Sequence, residues 1–361
     1  MRARNGSSLY IGLMCGTSAD GIDAALVQWQ DNHPPKLLST LEHPLPSELR
    51  QSLLSLNGRP KISLRKLALL DTQVAEIHAA AVHALLAQAK EPPEAISAIG
   101  FHGQTIDHSP AAPTKNTTQI GNAHLLAADT GIPVIGDLRR ADIAVGGQGA
   151  PLAPALHAQL FRATDRDVAV VNIGGIANLS LLPADEEQAV LGFDSGPGNC
   201  LMDEWCTHCL ELNYDKNGHF AKSGKIDSAL LSDCLASDYF QQDIPKSTGR
   251  DLFNLAWLQD KLQGRALSQA DTQATLAALT AHSIANDLKR YQPNTQALFV
   301  CGGGAHNTYL MQLIQRKLPN VTVETTASKG VDPDWVEALL MTWLARQHSL
   351  GEAGNLPSVT G

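Results

Sequence analysis

The sequence lacks the features that mark several large classes of protein. No run approaches the ~20 apolar residues that a membrane-spanning helix needs. Basic residues are few, since 27 Lys and Arg stand against 36 Asp and Glu and give a formal net charge of −9. Proteins that bind nucleic acid or an anionic membrane surface usually carry a basic patch, so this composition argues against both partners.

Cysteine is also scarce, with six residues spread over 361 positions. The one close pair, Cys206 and Cys209, has no second pair at zinc-site spacing, so helix packing explains it better than metal binding. The apolar stretch 9–15 is shorter than the core of a secretory signal, and Gly12 interrupts it. We therefore expect a mature cytoplasmic N-terminus and reduced thiols.

Several catalytic motifs are absent as well. The chain has no Gly-x-Ser-x-Gly elbow, no His-Glu-x-x-His pair and no set of protein-kinase motifs. It also has no phosphate-binding loop ending in Gly-Lys-Ser/Thr, and no Gly-x-Gly-x-x-Gly opens a helix after the first strand. These absences argue against the corresponding hydrolases, zinc peptidases, P-loop enzymes and dinucleotide-binding dehydrogenases.

The chain does have the composition and patterning of a globular α/β protein. Hydrophobic residues make up 43% and charged residues 17%, and the length allows two domains. Strand-like runs lie at 9–14, 22–29, 96–101, 168–173, 176–182, 190–193 and 298–301. Helical apolar stripes lie at 68–88, 272–288 and 335–347. Strands alternating with helices in this way indicate helices layered on sheets.

Three glycine-containing turns directly follow strand-like runs. The turn 16–21 joins 9–14 to 22–27, Gly174-Gly175 joins 168–173 to 176–182, and Gly302-Gly303-Gly304 follows 298–301. Without a Cβ in the way, glycine lets backbone N–H groups approach phosphate oxygens. One such turn would be an ordinary hairpin. Two opposed loops and a third glycine cluster are typical of a cleft ATPase of the actin and hexokinase type.

A few polar residues at strand ends are candidates for catalysis or binding. Asp194 precedes Gly-Pro-Gly and a predicted helix, whose N-terminus would keep its carboxylate ionised near neutral pH for general-base work. It could equally well only cap that helix. His102 could be an acid, a base or a structural histidine. Arg139 and Arg140 could hold a sugar carboxylate together, or form a surface salt-bridge loop.

The glycine-rich passage 131–154 marks the change of domain. Helix and strand signals both weaken there, and a loop of that length in a compact chain is usually functional. We place the crossover near its start. The predicted domains are residues 1–135 with the C-terminal helix 340–361, and residues 136–339.

Eight motifs, in order and through nearly the whole chain, resemble those of the anhydro-N-acetylmuramic acid kinases. They are Gly-Leu-Met-Cys-Gly-Thr-Ser-Ala-Asp-Gly-Ile-Asp at 12–23, His-Gly-Gln-Thr at 102–105, Gln-Ile-Gly-Asn at 119–122, Gly-Gly-Gln-Gly-Ala-Pro at 146–151, Asn-Ile-Gly-Gly at 172–175, Phe-Asp-Ser-Gly-Pro-Gly-Asn at 193–199, Lys-Ser-Thr-Gly-Arg at 246–250 and Cys-Gly-Gly-Gly-Ala at 301–305.

The resemblance implies an α/β, two-domain, actin-like ATPase fold with ATP and Mg²⁺ in the interdomain cleft. It implies a reaction in which 1,6-anhydro-N-acetylmuramic acid, ATP and water give N-acetylmuramic acid 6-phosphate and ADP, in peptidoglycan recycling. It also implies a cytoplasmic homodimer.

The resemblance places the family's catalytic aspartate on Asp194, which would deprotonate the attacking water. Asp20 is suited to Mg²⁺, directly or through water. We assign the sugar contacts to His102, Arg139, Arg140 and Gln148. The ATP-binding positions are Gly16, Thr17, Ser18, Ala19, Asp20, Gly21, Ile22, Asp23, Gly174, Gly175, Gly302, Gly303 and Gly304.

Two other functions remain open at this point. A kinase of the same fold could act on another hydroxyl or on a carboxylate, in which case Asp194 would deprotonate the substrate and no water would be consumed. A non-catalytic actin-like protein could use nucleotide for assembly. The polar segment 136–151 argues against assembly, because it is richer in polar groups than a filament contact needs.

Overall fold

The computed structural model describes residues 7–16, 19–31, 33–56, 61–111 and 113–361. The strands are β1 (Ser7–Met14), β2 (Gly21–Gln30), β3 (Lys36–Pro44), β4 (Ile96–Phe101), β5 (Gln104–Ser109), β6 (Asn116–Ile120), β7 (Val134–Ile135), β8 (Val168–Ile173), β9 (Ile176–Leu182), β10 (Leu191–Pro197), β11 (Ala297–Cys301) and β12 (Thr322–Thr325). The helices are α1 (Ser47–Leu54), α2 (Leu64–Ala89), α3 (Ala123–Thr130), α4 (Arg140–Ala144), α5 (Ala153–Phe161), α6 (Cys200–Leu210), α7 (His219–Ser223), α8 (Ser228–Leu235), α9 (Asp238–Gln241), α10 (Leu255–Leu262), α11 (Gln269–Tyr291), α12 (Thr308–Lys317), α13 (Val336–Leu350) and α14 (Pro357–Thr360). Within those ranges, none of the helices combines the length and apolarity that crossing a bilayer requires.

The chain divides into two compact units, and each contains a five-stranded mixed sheet. Unit 1 is Met1–Leu156 with Trp335–Gly361, and unit 2 is His157–Asp334. The sheet of unit 1 has the order β3-β2-β1-β4-β7, and that of unit 2 has the order β10-β9-β8-β11-β12. In both sheets the first three strands form an antiparallel meander, and the last two add in parallel. The two sheets therefore share one topology, as the repeated strand-turn-strand pattern suggested.

Apolar residues on the strands and long helices form a separate core in each unit. In unit 1 the core includes Ile11 and Ile99, and in unit 2 it includes Val171 and Leu298, all four almost completely buried. The predicted helical stripes at 68–88, 272–288 and 335–347 lie within α2, α11 and the helix α13 with its preceding residue. Their apolar spacing matches the buried stripe of a packed helix, so these predictions are confirmed.

Two paired glycines let α13 lie against the sheet of unit 1. Gly12 of β1 and Gly100 of β4 are partners in the parallel register. A Cβ on Gly12 would lie 1.9 Å from the Ala338 carbonyl oxygen, and a Cβ on Gly100 would lie 1.9 Å from that of Met341. The absence of both side chains thus sets how closely α13 approaches β1 and β4.

The strand predictions missed the short and polar strands. β3 is half-exposed or exposed along its length, β7 has only two residues, and β12 is an exposed four-residue strand of Thr, Val and Glu. β5 and β6 form a separate two-stranded sheet. None of these segments has the apolar run or clean alternation on which sequence-based strand prediction depends.

The segment 136–156 packs on unit 1, whereas the predicted domains 1–135 with 340–361, and 136–339, placed it in the second domain. Side-chain hydrogen bonds explain the difference. Arg139 donates to His102, and Asp142 accepts from Thr360, so the segment is tied to both parts of the chain that build unit 1.

Candidate active site

The carboxyl ends of three strands of unit 2 lie at one edge of its sheet. β8 and β11 are parallel, and β10 runs in the same direction because it is separated from β8 by antiparallel β9. Gly174-Gly175 follows β8, and Gly302–Gly304 follows β11. Asp194 is the middle residue of β10 and lies level with Asn172 near the end of β8, since both pair with Asn178 of β9. In α/β proteins this edge is where ligands usually bind.

The two predicted glycine turns of unit 2 are neighbours. A Cβ on Gly302 would lie 2.3 Å from the Asn172 Oδ1, and one on Gly304 would lie 2.4 Å from the Ile173 side chain. Gly302 also has a φ of 75°, which favours glycine. Gly303 and Gly174 have no such crowding, because their ideal Cβ positions are no closer than 3.8 Å to another atom. Gly302 and Gly304 therefore pack tightly against the end of β8, whereas the space beside Gly174 and Gly303 is free of close contacts.

The chain after β10 packs against the Gly174-Gly175 turn. The N–H groups of Gly198 and Asn199 donate to the carbonyl oxygens of Gly175 and Gly174, at 2.9 and 2.8 Å. The Arg250 guanidinium lies 3.4 Å from the ideal Cβ position of Gly175, and Arg250 is exposed. A cation beside open glycine backbone is an arrangement suited to a phosphate group.

Asp194 is held by side chains and backbone from other segments. Its Oδ1 accepts a hydrogen bond from the Asn178 Nδ2 on β9, and its Oδ2 accepts from the Ser247 Oγ (2.8 Å) and the Thr248 N–H (2.9 Å). The Asp194 N–H donates to the Lys246 carbonyl (3.2 Å), and the Tyr239 hydroxyl donates to the Asp194 carbonyl (2.6 Å). Three donors fix the orientation of the carboxylate and leave it lone-pair capacity for a further donor.

The capping alternative for Asp194 is wrong. Helix α6 begins at Cys200 with Asn199 as its N-cap residue, and the Asp194 carboxylate bonds the 247–248 segment instead of the first turn of α6. The pKa of Asp194 is raised above its usual value, because burial outweighs the hydrogen bonds and the Lys246 cation that favour the charged form. The sequence predicted that the helix N-terminus would favour the ionised carboxylate, but burial has the larger effect on the pKa of Asp194.

The predicted nucleotide loop of unit 1 connects β1 to β2. Thr17 and Ser18, predicted to add hydroxyl donors, lie outside the described residues. The Gly16 carbonyl accepts hydrogen bonds from the Ala19 N–H (3.0 Å) and the Gln104 Nε2 (3.3 Å). Gly21, Ile22 and Asp23 belong to β2, and the Ile22 side chain is fully buried in the core. Ile22 can therefore contact a ligand only through its backbone.

Asp20 is an exposed carboxylate at the end of this loop. Its Oδ1 accepts from Arg50 at 2.6 Å, while Arg50 also donates to the Ala19 carbonyl at 3.1 Å, so an arginine fixes the loop from outside. Across the described ranges, no group of three or more His, Cys, Asp or Glu residues could hold a metal ion by itself. Mg²⁺ needs no such group when phosphates and waters supply most ligands, so a single exposed carboxylate fits it.

The buried side chain of His102 contacts the half-buried side chain of Arg139 in unit 1. The Arg139 Nε and Nη2 both lie within 3.1 Å of the His102 Nε2, and its Nη1 donates to the Gly149 carbonyl (2.7 Å). Because arginine only donates, the His102 Nε2 must accept, and its Nδ1–H then donates to the Gly103 carbonyl (2.9 Å). Burial and the Arg139 cation lower the pKa of His102 to about 3. Of the earlier alternatives, the structural histidine is the one found.

Arg139 and Arg140 point to different partners. Burial lowers the pKa of the Arg139 guanidinium to about 10, and it binds His102. Arg140 is exposed and pairs with Asp137 at 2.8 Å. The two side chains bind different partners, so they do not hold one carboxylate together. Gln148 is exposed, and its N–H donates to the Thr360 carbonyl at 2.6 Å.

A family model described as anhydro-N-acetylmuramic acid kinase matches residues 8–361. The chain belongs to this family. Anhydro-N-acetylmuramic acid kinase of Shewanella amazonensis is 49% identical over 355 residues, which cover 98% of this chain and 95% of the relative. The enzyme of that name from Xanthomonas campestris pv. campestris is 47% identical over 358 residues, covering 98% and 94%.

Among solved structures, the chain is similar to the (R)-2-hydroxyglutaryl-CoA dehydratase component A of Acidaminococcus fermentans. The TM-score is 0.52 at 10% identity, and the match covers 95% of this chain and 99% of that one. At this identity the likeness concerns the fold alone. The predicted α/β fold is confirmed, since each unit has a mixed sheet and helices.

Reasoning from the sequence left several site residues without a role. Asn178, Ser247 and Thr248 hold the carboxylate of Asp194, and Asp142 holds the loop that carries Gln148. The Lys-Ser-Thr-Gly-Arg motif at 246–250 was the available signal for two of them. Nothing local in the sequence connects Asn178 or Asp142 to the site.

Proposed function

We propose that this protein is an ATP-dependent kinase that hydrolytically opens 1,6-anhydro-N-acetylmuramic acid and phosphorylates O6. The products are N-acetylmuramic acid 6-phosphate and ADP, and the pathway is peptidoglycan recycling. Membership of the family, with 46–49% identity to the named kinases over 98% of the chain, supports the reaction. The observation that carries it is the Asp194 carboxylate, fixed by three donors beside the glycine turns of unit 2.

Asp194 is the group that takes the proton in this mechanism. The water proton passes to its carboxylate while the water oxygen bonds C1 of the sugar, and the C1–O6 bond breaks with its electron pair on O6. That oxygen then bonds the γ-phosphorus, and the bond from the γ-phosphorus to the bridging oxygen breaks to release ADP. A carboxyl whose pKa is raised by burial is a stronger base than an exposed one, which suits this role.

The glycine turns supply the phosphate contacts in the proposal. Open backbone at Gly174 and Gly303, with Arg250 beside Gly175, supports binding of a phosphate chain in unit 2. The resemblance to the family assigns further phosphate contacts to the loop that begins at Gly16, and Asp20 would hold Mg²⁺ directly or through water. The ion would neutralise charge on the phosphates. Phosphoryl transfer needs mainly alignment and charge stabilisation, so these groups suffice for it.

The proposed sugar contacts are residues of unit 1. The hydrogen bonds from Arg139 hold the neutral imidazole of His102 in a fixed position, and Gln148 is exposed on the loop that Arg139 also holds through Gly149. Arg140 is the exposed cation of this loop and could meet the sugar's carboxylate singly. His102 acts in the proposal as a positioned contact and not as an acid or base, since its Nε2 and Nδ1 are both occupied.

The proposal includes a cytoplasmic location and a homodimer. Both rest on the resemblance to the family, and light scattering on the purified protein measures the second. A mass of one chain, 38.5 kDa, would remove the dimer from the proposal and leave the chemistry unchanged.

The decisive assay is sugar-dependent release of ADP. Anhydro-N-acetylmuramic acid should stimulate ADP release and N-acetylmuramic acid should not. Cleavage of the C1–O6 bond leaves an electron pair on O6 of the anhydro sugar, whereas the O6 hydroxyl of N-acetylmuramic acid must first lose its proton. Product formed in ¹⁸O-water should carry the label at the anomeric position. Label absent from that position indicates a kinase that consumes no water. ADP release that ignores the sugar points to a nucleotide-dependent assembly protein and contradicts the proposed function.

Asp194→Asn tests the base. The amide keeps the size of the side chain but cannot take the water proton, so kcat should fall by about 10²–10⁴-fold. Asp185→Asn, which changes an exposed carboxylate elsewhere on unit 2, is the matched control and should stay at the wild-type rate. Full activity in Asp194→Asn would refute the assignment.

A further inference from the structure

A buried ion pair lies behind Asp194 and has no part in the mechanism described so far. The Lys246 Nζ lies 3.0 Å from each carboxylate oxygen of Asp287, and the two side chains are only 1% and 7% exposed. Taking two charges out of water costs more than their attraction usually returns, and apolar residues of similar volume often serve stability as well or better. The pair therefore calls for a reason other than stability.

The position of Lys246 connects the pair to the carboxylate of Asp194. The Lys246 carbonyl accepts the Asp194 N–H, and the next two residues, Ser247 and Thr248, donate to the Asp194 Oδ2. One short segment thus carries the buried cation and two of the three donors to the carboxylate. Because Asp287 lies on the 23-residue helix α11, the pair anchors this segment to the longest helix of unit 2.

Aromatic rings enclose the ammonium group on the side towards Asp194. The Lys246 Nζ lies 5.2 Å from the ring centre of Tyr239 and 5.8 Å from that of Phe193, the residue before Asp194. Tyr239 also donates its hydroxyl hydrogen bond to the Asp194 carbonyl. The Lys246 side chain is only 1% exposed, so the field of its cation is weakly screened by solvent.

The groups that influence the charge of Asp194 come from several elements. Lys246 favours the ionised form, while Tyr239 on α9 stays neutral because burial and nearby carboxylates raise its pKa. Asp287 lies behind Lys246 on α11, and burial raises its pKa while the Lys246 and Arg290 cations oppose that rise. Arg290 is itself paired with Asp243 at the surface. Lys246 is thus the cation that acts on Asp194 from within the core.

We propose that the Lys246–Asp287 pair is a positioning device for Asp194. It anchors the segment whose Ser247 and Thr248 orient the carboxylate, and it places a buried cation that keeps this carboxylate ionised at neutral pH. The inference rests on the proposed function only in taking Asp194 as the base. It makes Lys246 and Asp287 positioning residues, because neither needs to touch the sugar or the nucleotide.

The double variant Lys246→Met/Asp287→Asn tests the proposal directly. It keeps the volume of both side chains, leaves no unpaired buried charge and removes the cation. The Asp194 carboxyl is followed by ¹³C NMR in protein labelled at aspartate, with its signal identified by its loss in Asp194→Asn. Its titration midpoint should rise by about one pH unit relative to wild type.

The pH profile of kcat/KM supplies the second readout. Its acid limb should move up with the NMR midpoint, which means an activity loss of about tenfold below the midpoint and recovery at higher pH. A merely structural role would lower activity at every pH and leave the limb in place. Lys261→Met is the matched control, because it also removes an ammonium group that lies near an aromatic ring, 5.7 Å from the centre of Trp257, but this group donates to the Asp233 carbonyl oxygen (3.0 Å) instead of a carboxylate. It should leave both readouts unchanged.

Lys246→Met/Asp287→Val serves if the first double variant does not fold. It replaces the pair with apolar residues, which buried ion-pair sites often tolerate, and it also removes the cation, so the Asp194 midpoint should rise by the same amount. An unchanged midpoint in either double variant overturns the inference. If the NMR midpoint of Asp194 shifts but the acid limb of kcat/KM does not, the Lys246–Asp287 pair acts on Asp194 as inferred, but Asp194 is not the catalytic base. This outcome separates failure of the inference from failure of the proposed function.

Discussion

The Asp142 carboxylate joins three parts of unit 1, and its loss should loosen the loop that carries Gln148. The Asp142 Oδ1 accepts from the Asn355 Nδ2 (2.8 Å) and the Thr360 Oγ1 (2.7 Å), and its Oδ2 accepts from the Gly149 N–H (2.7 Å). Asp142→Asn keeps the size of the side chain but replaces one oxygen with an NH₂ group. Whichever way the amide turns, this group meets at least one of these donors.

The magnitude follows from the number of contacts affected. A hydrogen bond to a charged group contributes about 1.5–3 kcal/mol, and the variant removes the charge from all three bonds and replaces at least one with a donor–donor clash. We expect the free energy of unfolding to fall by about 2–4 kcal/mol. The Gly149 carbonyl also holds Arg139, so the loosened loop should raise KM for the anhydro sugar more than KM for ATP.

Urea denaturation measures the stability change, and hydrogen exchange at the Gly149 amide measures the local opening. Asp137→Asn is the matched control in the same segment, because the Asp137 carboxylate forms an exposed ion pair with Arg140. Such pairs contribute about 0–1 kcal/mol, so this variant should unfold close to wild type. Equal denaturation midpoints and equal Gly149 exchange in the two variants would refute the reasoning.

Two further predictions concern packing and pH. Gly100→Ala places a Cβ 1.9 Å from the Met341 carbonyl oxygen, so α13 must shift, and the free energy of unfolding should fall by about 3 kcal/mol. Gly136→Ala is the control, because its Cβ would make an ordinary 3.5 Å contact. Equal melting temperatures of the two variants would contradict the packing argument. Burial lowers the pKa of His78 to about 4 and of His102 and His157 to about 3. The unfolded chain then binds protons first as pH falls below about 6.5, so the stability present above that pH is lost towards pH 3, by about 2 kcal/mol per histidine at pH 5. Thermal melting between pH 7 and 5 tests this, and a flat melting temperature would show that these rings gain protons without unfolding.

The sequence by itself determined the main strands, the long helices and the glycine turns. β1, β2, β4, β8, β9 and β11 are apolar, β-branched runs, and the burial of such a run depends mostly on its own residues. Glycine positions predict turns for the same local reason, since the backbone conformation at Gly302 favours glycine whatever surrounds it. The resemblance carried by eight ordered motifs then indicated the family, which the comparison over residues 8–361 confirms.

Only the tertiary structure decided which groups surround each candidate residue. Ser247 lies 53 positions from Asp194 in the chain, and Thr360 lies 218 positions from Asp142, yet each pair is hydrogen bonded. The same structure separates the neighbours Arg139 and Arg140, since Arg139 is half-buried against His102 and Arg140 is exposed. Periodicity and turn chemistry act over a few residues, whereas hydrogen bonds and burial depend on segments that meet only when the sheets and helices pack.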